Sequence, residues 1–214
     1  MSSLLFLGIA IQIANKQGPR THETHVAFKD VQQGGKFIYC EDKKESVNVF
    51  KNILAENGWD DCEMLCFRPK LQERYIRPSI TPTKTNLNAR FFLTDCEFLV
   101  AHDGSIIICA EQIANHKLID LPENFVIVAG TKQLTDTLSE GLKGIKHKYK
   151  KIDCLIHCAY PKTKDWGKTF ENLNYKSLSK NLSLQLGGSI LLSKQIIKIF
   201  RKQSYGNLIL LSSI

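Results

Sequence analysis

The sequence predicts an α/β fold built in two pieces, and three observations predict it. Short apolar runs bounded by turn residues read as buried strands at residues 36–40, 98–101, 125–128 and 152–157. Stretches with apolar residues at helical spacing alternate with them, first Val47, Phe50, Ile53 and Leu54, later Leu134, Leu138, Leu142 and Ile145. At Lys151 the pattern changes, and a strand, a long apolar helix and a second strand follow. Such a unit normally gives two parallel strands of one sheet.

The elements follow in chain order. Residues 4–14 are mostly apolar and read as a short helix or strand. They are too few to cross a bilayer and lack the basic flank of a secretion signal, so neither a membrane nor a leader is expected. Residues 1–27 stay an N-terminal segment without assignment. Gly34-Gly35 turns into the strand 36–40. Asp42, with Glu45 three residues on, caps a helix that Gly58 ends. Residues 64–67 form a short strand, Pro69 opens a short polar helix that stops before Pro78, and residues 81–88 read as a loop. His102-Asp103-Gly104 separates the apolar runs 98–101 and 105–109, which is a hairpin pattern. Thr131 is placed to cap the helix that carries Leu134, Leu138, Leu142 and Ile145. Beyond residue 151 come the strand 152–157, a polar loop over 161–169, and the helix 182–200 with Leu186, Ile190, Ile197 and Phe200 on one face. Gly206 leads into the last strand, 208–211. The Leu186, Ile190 and Ile197 stripe is expected to be buried against a sheet containing Ile156 and Ile209.

Composition narrows the function classes. The net charge is +8 and the isoelectric point about 9.1. The densest basic cluster, Lys143, Lys146, His147, Lys148, Lys150 and Lys151, falls at a helix end, where cations complement the dipole. No zinc-finger or RNA-recognition pattern accompanies it, so it reads as a solvated face, with no specific nucleic-acid partner. The seven cysteines are odd in number and sit mostly in apolar runs, which fits free thiols in a reducing cytoplasm. Cys62 with Cys66, and Cys154 with Cys158, stand four apart on strands, too far to share one ion. His22 and His25 are one residue short of the spacing of a zinc-binding helix. No metal site is expected.

Three segments carry a resemblance over residues 28–150: Gly34-Gly35-Lys36-Phe37-Ile38-Tyr39-Cys40, Cys96-Glu97-Phe98-Leu99-Val100-Ala101-His102-Asp103-Gly104-Ser105-Ile106-Ile107, and Leu121-Pro122-Glu123-Asn124-Phe125-Val126-Ile127-Val128. Together they resemble the LUD (lactate utilisation) domain family. The resemblance implies an open α/β domain related to the sugar-isomerase and CoA-transferase type. It further implies an accessory role in lactate or related organic-acid metabolism, with iron–sulfur proteins of lactate oxidation as partners. It brings no catalytic residue with it. His102 and Asp103 sit in its most recognisable turn and read as a plain hairpin turn.

Residues 151–214 resemble the middle of the short-chain dehydrogenase family. Ile152-Asp153-Cys154-Leu155-Ile156-His157-Cys158-Ala159 is similar to the strand that ends in the family's Asn-Asn-Ala-Gly, with His157 and Cys158 in place of the two Asn. Leu184-Gln185-Leu186-Gly187-Gly188 is similar to the helix that carries a structural Asn, here Gln185. Gly206-Asn207-Leu208-Ile209-Leu210-Leu211-Ser212-Ser213 is similar to the strand that ends in the catalytic Ser. The resemblance implies a strand–helix–strand piece of a Rossmann-type sheet, from a branch linked to polysaccharide biosynthesis. By motif, Ser213 is its candidate catalytic residue and Ala159 its candidate cofactor-binding residue. The Gly-rich pyrophosphate loop is not found upstream, and no Tyr-x-x-x-Lys pair follows Ser213. NAD(P) is therefore expected only where the dehydrogenase part is completed elsewhere. The resulting reading is a LUD-domain protein fused to an incomplete dehydrogenase segment. A truncated NAD(P)-dependent short-chain oxidoreductase and an inactive fusion product stand as alternatives.

Overall fold

Strands that are apolar on both sides need cover on both faces of their sheet, and the N-terminal part of this chain provides it. The computed structural model describes residues 7–13, 36–101, 105–117, 120–157 and 169–210. The fold is mixed α/β, and the chain divides into two units, residues 1–137 and 138–214.

In the first unit the strands are β1 (Leu7–Ile13), β2 (Lys36–Cys40), β3 (Cys62–Leu65), β4 (Ile80–Thr83), β5 (Phe91–Asp95) and β8 (Asn124–Gly130). They form one sheet in the order β2-β1-β8-β5-β3-β4, and every pairing is parallel. The apolar segment near the N-terminus is thus a strand, inserted between β2 and β8. Residues 81–83, expected within a loop, instead belong to the edge strand β4. Pro82 lacks an N–H for a ladder, so an edge is where a strand tolerates it. β5 carried no turn signal of its own and went unmarked.

Side-chain alternation sorts the core into two layers. Met64, Phe91, Leu93, Val126 and Val128 join one cluster, together with Phe50, Ile53 and Leu54. Those last three belong to helix α1 (Lys43–Asn57). Leu65, Phe92, Phe125, Ile127 and Ala129 face the other way, into a cluster with Cys96, Leu99 and Leu121. A period of two places successive residues of one strand in opposite layers. α1 begins as expected: Asp42 Oδ1 accepts from the amides of Lys44 and Glu45, and Glu45 Oε2 accepts from the Glu41 amide. It ends at Gly58 in the left-handed region, φ 62°. Helix α2 (Pro69–Tyr75) has Pro at its start and stops before Pro78.

A small second sheet, β7-β6-β9, accompanies this one. β6 (Phe98–Val100) and β7 (Ile106–Ile107) pair antiparallel, Leu99 opposite Ile106, and the Val100 amide donates to the Ser105 carbonyl. That is the expected hairpin; its tip, residues 102–104, lies outside the described residues. Thr131 does not cap a long helix. Residues 131–133 form one 3₁₀ turn, and Leu134 belongs to β9 (Leu134–Thr135), parallel to β6. A β-strand partner for Leu134 overrides the helical spacing there. The helix starts later, as α3 (Leu138–Tyr149), with Leu142 and Ile145 buried and Lys146, His147 and Lys148 in its last turn.

The second unit carries α3, β10 (Cys154–His157), α4 (Tyr175–Leu182), a π turn (Ser183–Gly187), α5 (Gly188–Gln203) and β11 (Asn207–Leu210). β10 and β11 pair in parallel, Ile156 opposite Ile209, as a strand–helix–strand unit should. Gln203 ties the end of α5 to the start of β10: its Nε2 donates to the carbonyls of Ile152 (2.6 Å) and Tyr205 (2.9 Å). The expected helix stripe, however, is not the buried one. Leu186, Ile190 and Ile197 are 59%, 58% and 42% exposed, whereas Leu192 and Ile196 are 4% and 0% exposed. Leu186 lies within the π turn, where the repeat departs from 3.6 residues, so it shares no α-helical phase with Ile190 beyond the turn. Ile190→Asp should consequently shift stability by no more than about 0.5 kcal/mol, the range of ordinary surface changes. Ile196→Asp, which buries a carboxylate, should cost several times more. Thermal melts followed by circular dichroism compare the two, and equal losses would put Ile190 inside.

No helix among the described residues is long and apolar enough to cross a membrane.

Candidate functional site

Parallel α/β sheets leave their loops free at the carboxyl ends of the strands, and ligands bind there in open folds of this kind. Four strand ends of the first unit supply the walls of such a cleft, about 650 Å³ in volume. β5 ends on Asp95, β8 on Gly130 with Thr131 and Lys132 after it, β3 leads into Arg68, and β2 leads to Lys43 at the start of α1. α2 adds Lys70 and Arg74. Five of the lining residues, Lys43, Arg68, Lys70, Arg74 and Lys132, are cations, and Asp95 is the carboxylate among them.

The charges are unequal in availability. Arg68 is committed: Nη2 donates to Asp95 Oδ2 at 3.1 Å and Nη1 to Glu111 Oε1 at 2.7 Å. Its Nε lies 3.0 Å from Asp95 Oδ1, close enough for an ion pair, yet Oδ1 is buried and receives no hydrogen bond among the described residues. Burial pushes the Asp95 carboxyl above its ordinary range, with the Arg68 charge opposing. The hydrogen bond from Arg68 to Glu111 helps hold the guanidinium protonated. Lys43, Lys70 and Lys132 are exposed, whereas Arg74 is half-buried with its guanidinium 5.9 Å from the centre of the Tyr75 ring. The cleft therefore presents an excess of positive charge.

The floor is rigid. Gln133 Oε1 accepts from the Gly130 amide at 2.7 Å, and its Nε2 donates to the Cys96 carbonyl, which pins the turn after β8 to the end of β5. Behind it, the buried Gln112 donates from Nε2 to Glu97 Oε1 at 2.7 Å, and Thr94 Oγ1 donates to the Gln112 carbonyl at 3.3 Å. On the α1 side the Tyr75 hydroxyl donates to Ser46 Oγ at 3.0 Å, and Ser46 Oγ to the Lys43 carbonyl at 2.8 Å. The thiols near these strand ends are poor nucleophiles. Desolvation pushes Cys40 and Cys66 up to about 11 and raises Cys96 further. Cys40, Cys62, Cys66, Cys96 and Cys154 are free thiols.

Ser213, Ala159, His102 and Asp103 all fall outside the described residues. None of the cleft's charged residues was picked out beforehand. Their common signal is positional: each sits at or just beyond the carboxyl end of a strand, or on the short helix after one.

Comparison with known proteins bears on part of the chain. No solved structure matches it. Over 68 residues it is 50% identical to the "Post-translational flagellin modification protein A" of Campylobacter coli, a match that covers 31% of this chain and 27% of that protein. The chain thus spans about a quarter of that relative's length. Of the three segments that resemble the LUD family, the second and third fall within a family match and the first lies outside it. Residues 81–159, which include β5, β8, Asp95 and Lys132, match the family model of the LUD domain.

Proposed function

We propose that the first unit binds an organic anion in the cleft at the carboxyl edge of its sheet. The observation that carries this reading is the convergence of five cations on a cleft whose one lining carboxylate is already paired with Arg68. The LUD-domain match over residues 81–159 supports an organic acid as the anion and an accessory role in lactate or related organic-acid metabolism. In that reading the protein works in the cytoplasm beside iron–sulfur proteins. Calorimetric titration with carboxylates and phosphates tests the site. Saturable binding that weakens with added salt is expected, and Lys132→Glu should lower affinity by about tenfold, as loss of one charge-assisted contact does. Binding that ignores both Lys132→Glu and Arg74→Glu would overturn it.

A second reading concerns residues 151–214, as a piece of an NAD(P)-dependent short-chain oxidoreductase of polysaccharide biosynthesis. The parallel pairing of β10 with β11 across a helical crossover favours it. The relative named for flagellin modification is compatible with such a setting.

A further inference from the structure

We propose that the helical segment 175–203 is a docking face for an anionic lipid surface, lying along the bilayer without crossing it. The proposal is independent of the cleft. Three observations carry it. The first is apolar exposure. α4, the π turn and α5 run on as one helix, because Ser183 and Gly187 both keep right-handed helical backbone. Eight large apolar side chains on it are exposed. Tyr175, Leu178 and Leu182 follow one another at three- and four-residue spacing, so they share a face of α4, with Tyr175 85% exposed. On α5, Ile190 and Ile197 stand seven residues apart on one face, and Leu191, 64% exposed, widens it. Contiguous exposed apolar surface marks contact with a partner or a membrane. The second observation is charge. The segment contains Lys176, Lys180, Lys194, Lys198, Arg201 and Lys202, all exposed, and no Asp or Glu. Lys194 lies four residues after Ile190 and three before Ile197, and Lys198 lies seven after Leu191, so these two cations rise from the apolar face itself. Their alkyl stems can follow the aliphatic layer while the ammonium groups reach lipid phosphates. A second copy would set six cations against six, whereas an anionic surface is complementary. The third observation is the π turn. It breaks the 3.5-residue repeat that a partner helix needs for knobs-into-holes packing, so Leu178 and Leu182 keep no common seam with Ile190 and Ile197. A fluid apolar layer requires no register. A basic helix with an apolar face lies in the headgroup region of anionic membranes, and its affinity sums buried apolar area and charge.

Flotation of the full chain with vesicles tests this. Vesicles of equal parts phosphatidylcholine and phosphatidylglycerol should carry the protein, pure phosphatidylcholine should leave most of it behind, and added salt should weaken the binding. Because the whole chain is cationic, variants must separate this face from general attraction. Ile190→Ser with Leu191→Ser leaves the charge unchanged and alters only exposed positions. Its circular dichroism should match that of the unaltered protein, while its partition onto anionic vesicles should fall about tenfold. Lys194→Gln with Lys198→Gln should lower partition about fivefold for each charge lost. Lys51→Gln with Lys84→Gln removes the same charge from exposed positions of the first unit and should change it little. Equal losses from the two lysine pairs, or no loss from the serine pair, would reveal general charge attraction and overturn the inference. Equal binding to both kinds of vesicle would overturn it as well. A protein that ignores vesicles and dimerises by light scattering, with the serine pair dissolving the dimer, would give the face to a second copy. One that ignores vesicles but binds a synthetic amphipathic helix of Leu and Glu would give it to an acidic protein.

Discussion

Replacing Phe91 by alanine is expected to cost about 3–5 kcal/mol, the usual range for emptying a fully enclosed aromatic site. Phe91 is completely buried on β5, between β8 and β3 of the large sheet. Its ring stacks on Trp59 at 4.9 Å and meets Phe50 at 6.0 Å in an edge-on contact. Phe50 in turn packs on Tyr75 at 5.0 Å. One truncation therefore removes a transfer term and two aromatic contacts, each contributing ~0.5–1.5 kcal/mol beyond area. It also leaves a hole bordered by a sheet and by α1, neither of which collapses readily. Urea unfolding followed by circular dichroism gives the loss directly, and tryptophan fluorescence reports the change around Trp59. A loss under 1 kcal/mol would mean that the sheet and α1 close around the gap, and that this layer is loosely packed.

The same layer shows what the sequence made legible. Strands β2, β6 and β8 stood out because each is an unbroken apolar run beside a turn. α1 stood out because its cap, its stripe and its terminal glycine all agree. β5 was hidden because Ala89-Arg90-Phe91-Phe92-Leu93-Thr94-Asp95 carries neither a glycine nor a proline to mark its ends. β4 was hidden because Pro82 speaks against a strand wherever the ladder runs on both sides, and only the fold reveals an edge. The α5 stripe was misread for a different reason. That helix is apolar nearly all round, with Ile190, Leu191, Leu192, Ile196, Ile197, Ile199 and Phe200 offering more than one possible face. The buried face also contains Ser189, Ser193 and Gln195, whose polarity blurs the periodicity. Ser193 Oγ donates back to the Ser189 carbonyl at 2.7 Å, and Ser139 Oγ donates to Gln195 Oε1 at 3.4 Å.

The cleft was illegible for a reason of principle. Lys43, Arg68, Asp95 and Lys132 are spread over most of the first unit and share no motif. Parallel strands bring their carboxyl ends to one edge whatever their order in the chain, so residues far apart in sequence become neighbours there. The order β2-β1-β8-β5-β3-β4 sets β8 beside β5, which puts Lys132 and Asp95 on one rim. Only the sheet order supplies that information. Motif resemblance singled out Ser213 and Ala159 because motifs record local sequence, whereas this cleft is assembled by topology.

Gly206→Ala should be among the most damaging single changes in the second unit, at about 2–6 kcal/mol from two separate causes. Gly206 joins α5 to β11 with φ at 149°, a conformation that residues with a side chain rarely adopt. Backbone strain of that sort costs ~1–3 kcal/mol. A Cβ built there would also lie 2.1 Å from Phe200 Cδ1 and 2.3 Å from its Cγ, far inside contact distance. Relieving such a clash by moving a ring typically costs a further ~1–3 kcal/mol. The chain cannot simply turn elsewhere, because the Asn207 amide donates to the Asp153 carbonyl and Gln203 holds the Tyr205 carbonyl on the other side. A double-mutant cycle separates the two causes. Phe200→Ala removes the ring, so in its background the alanine at position 206 should cost only the backbone strain. The two changes together should then destabilise by clearly less than the sum of the single losses. Additivity would show that the ring never obstructs the site, and a neutral Gly206→Ala would show that the turn between α5 and β11 is not built as described. Hydrogen exchange read on peptides spanning residues 152–157 and 203–210 localises the effect, since the β10–β11 ladder is the first structure this turn holds in register.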